Sequence, residues 1–201
     1  MTDQPSPRFG AILLAGGRAS RMGGIDKPGL LVDGVSMRDR AIAAVGAAGA
    51  DPVIVVGPEA ASALRDVSDV RWVREDPPFS GPAAAVVTAL AAMGAAAAEW
   101  TFLLACDLPR PDAAVGALLH GPRGRDGACL SDADGRMQWL TGVYRTVTLS
   151  SAATALPDGG RDLPVRALLS GLAIATLPDP SAGARDVDTW EDYEELTKEH
   201  P

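Results

Sequence analysis

Lysine is almost absent from this chain: Lys27 and Lys198 are the only two in 201 residues, and the other sixteen cations are arginines. Basic residues number 18 against 26 Asp and Glu, so the formal charge is −8 and the pI is about 4.7. A chain of that sign lacks the basic footprint that nucleic acids and anionic membranes require, and neither is expected as a partner. Cysteine is equally scarce. Cys106 and Cys129 cannot build a disulfide framework and share no Cys-x-x-Cys spacing, and His120 and His200 are too few to complete a zinc site. A bilayer-spanning run is missing as well. Residues 82–98 carry no charge, but they begin with proline, are mostly alanine, are broken by Gly94 and fall short of the ~20 residues a span needs. The first residues, MTDQPSPRFG, show no basic segment followed by an apolar one, so a cytoplasmic protein is expected.

What is present is alternation. At ~100–200 residues per domain, the chain reads as one domain over 1–201, with 1–8 as a flexible tail. Short apolar runs at 9–14, 52–56, 70–74 and 101–106 have the composition of strands, the first, second and fourth of them buried on both faces. Helical stretches fall between or after them at 36–48 (with Ser36 as its cap), 82–98 and 111–119. Beyond 127 the pattern loosens: strands are expected at 127–131 and 138–144, one of them able to run antiparallel. Helices at 146–156 and 163–170, a strand at 172–177 and a last helix from Thr189 complete the reading. Such alternation predicts an α/β fold, a Rossmann-like open and mostly parallel sheet with helices on both faces. Ligands of such sheets bind beyond the carboxyl ends of the strands, which directs attention to residues after 14, 56, 74 and 106.

The first of those places holds the scarce cations. From Leu14 to Lys27, four glycines and three cations (Arg18, Arg21 and Lys27) occur in fourteen residues. Glycines let backbone N–H groups wrap an anion, arginine offers forked donors, and lysine a point charge. This is the composition of a polyphosphate pocket. Two commoner phosphate loops are excluded, because neither G-x-x-x-x-G-K-S/T nor G-x-G-x-x-G is present.

The string LAGGRASRMGGIDK resembles the motif L-A-G-G-x-x-x-R-M-G-x-D-K of the molybdenum cofactor guanylyltransferases. The Arg21-Met22-Gly23 step is shared with sugar-nucleotide and cytidylyl transferases, and Asp26-Lys27 points to the guanylyl branch. The resemblance runs along the whole chain and implies the nucleotide-diphospho-sugar transferase type of sheet. Glu75-Asp76-Pro77 with Ser80-Gly81-Pro82 is similar to the segment that contacts guanine and ribose, and Asp76 could accept from the guanine N1–H and N2–H₂ edge. At 83–85, Ala-Ala-Ala replaces a larger residue and a second glycine of the family pattern, and Gly57 stands where the guanylyl branch often has asparagine. Cys106-Asp107-Leu108-Pro109 resembles the family's C-D-x-P, whose aspartate holds magnesium. Read from the residues alone, Asp107 is either a hard-cation ligand or a cap for the 111–119 helix, and Cys106 is a small core residue. Asp186-Val187-Asp188-Thr189 resembles N-x-N-T with acids in place of both asparagines, leaving Asp188, with Asp186 behind it, as either a second metal ligand or a helix cap. Gln138 to Arg145 resembles the segment facing the pterin acceptor, with Trp139 where proline is usual.

The resemblance therefore implies transfer of GMP from GTP to the phosphate of molybdopterin, with Mg²⁺ as cofactor and pyrophosphate as product. Leu14, Ala15, Gly16, Gly17, Arg21, Lys27, Asp76, Gly81, Pro82 and Asp107 would bind substrate. Lys27, Arg21 and Asp107 would carry catalysis, and Asp107 with Asp188 would hold the metal. A monomer in transient contact with cofactor-delivery or acceptor proteins is expected. Alternatives are a molybdopterin cytidylyltransferase, another small-molecule nucleotidyltransferase or, in a different class, a non-catalytic nucleotide-binding accessory protein. The joint presence of Arg21, Lys27 and Asp107 speaks against the last.

Overall fold

The computed structural model describes residues 6–16, 25–60, 70–94, 98–179 and 190–198. Along them run β1 (Phe9–Leu14), a 3-10 turn at Lys27–Gly29, β2 (Leu31–Val32), β3 (Val35–Ser36), α1 (Met37–Ala47) and β4 (Ala50–Val56). Then come β5 (Val70–Val73), α2 (Pro82–Met93), β6 (Trp100–Ala105), α3 (Pro111–His120) and β7 (Gly127–Ser131). The chain continues with β8 (Met137–Arg145), α4 (Thr146–Thr154), a 3-10 turn at Pro157–Gly160, α5 (Val165–Leu169), β9 (Ile174–Pro178) and α6 (Trp190–Lys198).

Seven strands form one sheet in the order β5-β4-β1-β6-β8-β7-β9. Only β8 among them opposes its neighbours, pairing antiparallel with β6 and with β7. The runs in β1, β4 and β6 are almost wholly apolar because both faces are covered, with alternate residues serving opposite cores. Ala11 and Leu13 of β1 pack with Ile42 and Val45 of α1 and with Val115 and Leu118 of α3. Ile12, between them, joins the core of α2, α4 and α5 with Val86, Ala89, Leu149 and Leu168.

Ser36 caps α1 as expected, its Oγ accepting the Asp39 N–H at 3.0 Å. The uncharged helix is shorter than the sequence suggests. It ends at Met93, and Gly94 at φ 70° provides the left-handed step that stops it. Strand β9 begins at Ile174 rather than 172. The sequence reading also missed the β2–β3 hairpin, whose turn residues Asp33 and Gly34 have φ of 53° and 77°, both left-handed as a two-residue type I′ loop demands. Helix α6 closes over this hairpin, burying Leu196 against Val32 and Met37 while the Tyr193 hydroxyl donates to the Leu31 carbonyl at 2.7 Å. Among the described residues, no helix is long and apolar enough to cross a membrane.

Candidate active site

Strand order locates the site before any side chain is considered. From β1 the chain crosses to β4 and β5 on one side of the sheet, then returns through α2 to β6 on the other side of β1. Loops leaving β1 and β6 therefore diverge, and the crevice between them is the switch point where open α/β sheets bind ligands. Register brings the strand ends level: Leu14 pairs with Val56 and with Ala105, and Val56 with Val73. The Cys106 N–H donates to the Leu14 carbonyl at 3.0 Å and the Ala15 N–H to the Val56 carbonyl at 2.8 Å, so the first residues of both loops continue the sheet. Gly57 fits this crowding. A Cβ there would stand 3.0 Å from the Ala15 carbonyl group, which accounts for glycine where the family pattern has asparagine.

Lys27 and Asp107, 80 residues apart in sequence, meet at this crevice with Nζ 3.2 Å from Oδ2. Their side chains are only 13% and 23% exposed. Two features fix the lysine: the 3-10 turn it begins, with Pro28 next in line, and the Leu30 N–H donated back to the Lys27 carbonyl at 3.0 Å. The aspartate follows the buried β6 and the fully buried Cys106. It does not cap α3, whose N-cap position is Arg110. Its second oxygen, Oδ1, is buried with no hydrogen-bond partner. A buried carboxylate oxygen left unbonded costs about 1–3 kcal/mol, so a hard cation is a group this residue fits. No cluster of three or more potential metal-ligating side chains occurs among the described residues.

Asp76 is exposed in the turn that joins β5 to α2. Gly81 takes φ 94° and ψ 165° at the N-cap of α2, a backbone region that essentially only glycine enters, and Pro82 occupies the first turn as a preset φ allows. The sequence reading missed what holds this turn. Residues 157–164 lie against it, with the Asp162 N–H donated to the Ser80 carbonyl at 2.7 Å and the Ala83 N–H to the Leu163 carbonyl at 3.3 Å. Asp158, Gly159, Gly160 and Asp162 all have positive φ in that segment. The Asp-Gly-Gly sequence was the available signal. Gly81→Ala should lower stability by about 1–3 kcal/mol through this backbone region alone. Denaturant midpoints check this.

On the other side of β6, the start of β8 reaches the same edge. Trp139 is half-buried and packs against the core of α2, α4 and α5 with Met137 and Leu140. Both thiols are inert core groups: burial pushes Cys129 up to about 11 and Cys106 higher still, with Asp107 adding to the latter. Gly17, Arg21, Asp186 and Asp188 lie outside the described residues; Leu14, Ala15, Gly16, Lys27, Asp107, Asp76, Gly81 and Pro82 lie at the carboxyl ends of the parallel strands. A separate cavity of about 940 Å³ opens at the opposite edge, lined by Arg8, Asp51, Arg71, His120 and Arg123 among others. Arg123 there donates to the Leu118 and Leu119 carbonyls and closes α3.

Comparison with known proteins gives the family. Residues 11–175 match the model of the MobA-like NTP transferase domain. A protein of Opitutus terrae named "Probable molybdenum cofactor guanylyltransferase" is 33% identical over 99% of this chain and 98% of its own length. One of the same name from Synechococcus elongatus is 32% identical over 85% of this chain and 88% of its own. A solved nucleotidyl transferase from Methanothermobacter shares the fold, with a TM-score of 0.70 at 21% identity over 96% of this chain and 97% of that one. With a matching domain across most of its length and a full-length relative at this identity, the chain belongs to the MobA-like NTP transferase family and is a nucleotidyltransferase.

Proposed function

We propose that this nucleotidyltransferase moves GMP from GTP to the terminal phosphate of molybdopterin. An oxygen of that phosphate attacks the α-phosphorus in line, the bond from the α-phosphorus to the bridging oxygen breaks, and pyrophosphate leaves. The observation that carries the reading is the Lys27–Asp107 pair at the switch crevice, with one carboxylate oxygen buried and unbonded. Phosphoryl chemistry of this kind asks for position and charge rather than for a covalent group, and the attacking phosphate is already ionised, so no general base is required.

Each residue then has a task. Backbone N–H groups of Gly16 and Gly17, following Leu14 and Ala15, and the Arg21 guanidinium would hold the β- and γ-phosphates; the Ala15 N–H, expected to join them, is already taken by the Val56 carbonyl. Lys27 would offset the charge that grows on the bridging oxygen as the bond breaks. Asp107, with Asp188 as second ligand and Asp186 behind it, would hold Mg²⁺, which when bound supplies positive charge against the phosphates. Asp76 would read the guanine N1–H and N2–H₂ edge, with Gly81 and Pro82 shaping the turn against the nucleoside. Trp139 and its neighbours would border the acceptor. The same reading makes the protein a cytoplasmic monomer that meets delivery or acceptor proteins transiently.

A nucleotide screen with molybdopterin as acceptor tests this, reading which base is joined to the product. GMP transfer is expected; CMP transfer would assign the chain to the cytidylyl branch. In the same assay Asp76→Ala should reduce the preference for GTP over CTP by about 10-fold or more, the worth of a lost hydrogen bond to a charged group. An unchanged ratio would move base recognition to another residue.

A further inference from the structure

Arg38 occupies a place where a cation is costly. It is the second residue of α1, against the positive end of the helix dipole, and it is 6% exposed. A buried cation persists only where neighbours offset its lost hydration. Its neighbours here are Asp26, whose Oδ2 accepts from Nη1 at 3.4 Å, and Trp72, whose ring centre lies 5.6 Å from the guanidinium carbon. The Nε is buried with no hydrogen-bond partner. Nothing in that arrangement favours α1 itself. What it does is take hold of Asp26.

Asp26 in turn controls the turn that carries Lys27. Its carbonyl accepts the Gly29 N–H at 3.0 Å, and its carboxylate lies against residue 29, in space that a Cβ there would have to share. The next residue is Lys27, with Nζ on Asp107. A continuous series thus runs from Trp72 through Arg38 and Asp26 to the 27–29 turn.

We propose that Arg38, stacked on Trp72, is a positioning residue for nucleotidyl transfer: by anchoring Asp26 it sets the 27–29 turn and so the place of the Lys27 ammonium. The inference rests on the reading of Lys27 as the group that meets the triphosphate.

The test joins steady-state kinetics with hydrogen–deuterium exchange over residues 25–31. Arg38→Gln should lower kcat about tenfold, with KM for the nucleotide changed less than about threefold, because misplacing a catalytic charge acts on the transition state rather than on ground-state binding. Asp26→Asn should do the same, and the double variant should be no slower than the slower single one, the non-additivity expected of residues in one series. Arg38→Lys, which keeps the charge and loses the guanidinium over the Trp72 ring, should recover part of the rate. Amides of Gly29 and Leu30 should exchange faster in Arg38→Gln while α1 beyond its first turn keeps its protection. Should Arg38→Gln fail to fold, Trp72→Leu removes the stack and carries the same expectations. A folded Arg38→Gln with wild-type kcat, or effects of Arg38→Gln and Asp26→Asn that simply multiply, would overturn the proposal. Exchange keeps the two readings apart: were Lys27→Ala fully active, the role of Lys27 would fall, while faster exchange at 29 and 30 would still show that Arg38 orders the turn.

Discussion

Lys27→Ala is expected to lower nucleotidyl transfer by about 10²–10³-fold in kcat, the loss typical when one preorganised donor to a developing charge is removed. Stability should fall as well, for a definite reason. The variant leaves Asp107 without its ion-pair partner while Oδ1 is already buried and unbonded. An uncompensated polar group of that kind costs about 1–3 kcal/mol. For a chain of this size each kcal/mol lowers the melting temperature by about 2–4 °C. Pyrophosphate release and a thermal melt measure the two effects separately. Lys27→Arg should restore the stability better than the rate, because a guanidinium pairs with the carboxylate but places its charge differently. A Lys27→Ala protein with near wild-type turnover would remove Lys27 from the chemistry.

Asp107→Asn should lose transfer to a similar degree, about 10²-fold or more, if a charged carboxylate is what holds the cation that transition-state stabilisation needs. Its effect on stability should have a different size from that of the lysine variant. The carboxamide still offers an oxygen to the Lys27 ammonium, and the buried position beside it no longer carries an anion's desolvation. Melting temperature should therefore change little. A lowered melt for Lys27→Ala beside a nearly unchanged one for Asp107→Asn, with the same collapse in rate, is the diagnostic result. Raising Mg²⁺ should recover part of the Asp107→Asn rate and none of the Lys27→Ala rate. Wild-type turnover by Asp107→Asn at ordinary Mg²⁺ would exclude the carboxylate as the cation's seat.

The half of the sheet around β1 was legible because burial on both faces writes itself as unbroken apolar runs, and the rule for strand carboxyl ends then put Asp107 on the same edge as the glycine-rich stretch that ends in Lys27. That is why two residues 80 positions apart could be placed together without a contact map. Helix lengths were less legible: alanine after Gly94 suits a helix as well as a loop, and only the backbone shows that Gly94 stops it. The Asp33-Gly34 turn carried a recognisable hairpin signal, yet strands of two residues give no periodicity to confirm it. Nothing in a spacing of twelve residues announces that Arg38 and Asp26 touch, since that contact is made by the fold and by the ring of Trp72.

The antiparallel course of β8 makes the two halves of the site edge mechanically unequal. On the β1 side the edge is assembled from separate loops after parallel strands, each of which can be exchanged without disturbing a ladder. On the β8 side it begins as a strand, led by a turn that Asp132 ties down by accepting the Asp134 and Arg136 N–H groups on one oxygen and the Gln138 amide on the other. Beyond that turn β8 already departs from strict pairing: Cys129 faces Gly142 and Leu130 faces Gln138, so residues 139–141 bulge from β7 while Thr141 stays paired with Leu104 of β6. The site edge thus joins separate loops on one side to a bulged ladder, pinned on both flanks, on the other: the loops can be exchanged one by one, whereas the bulge must be redesigned together with the pairing that brackets it.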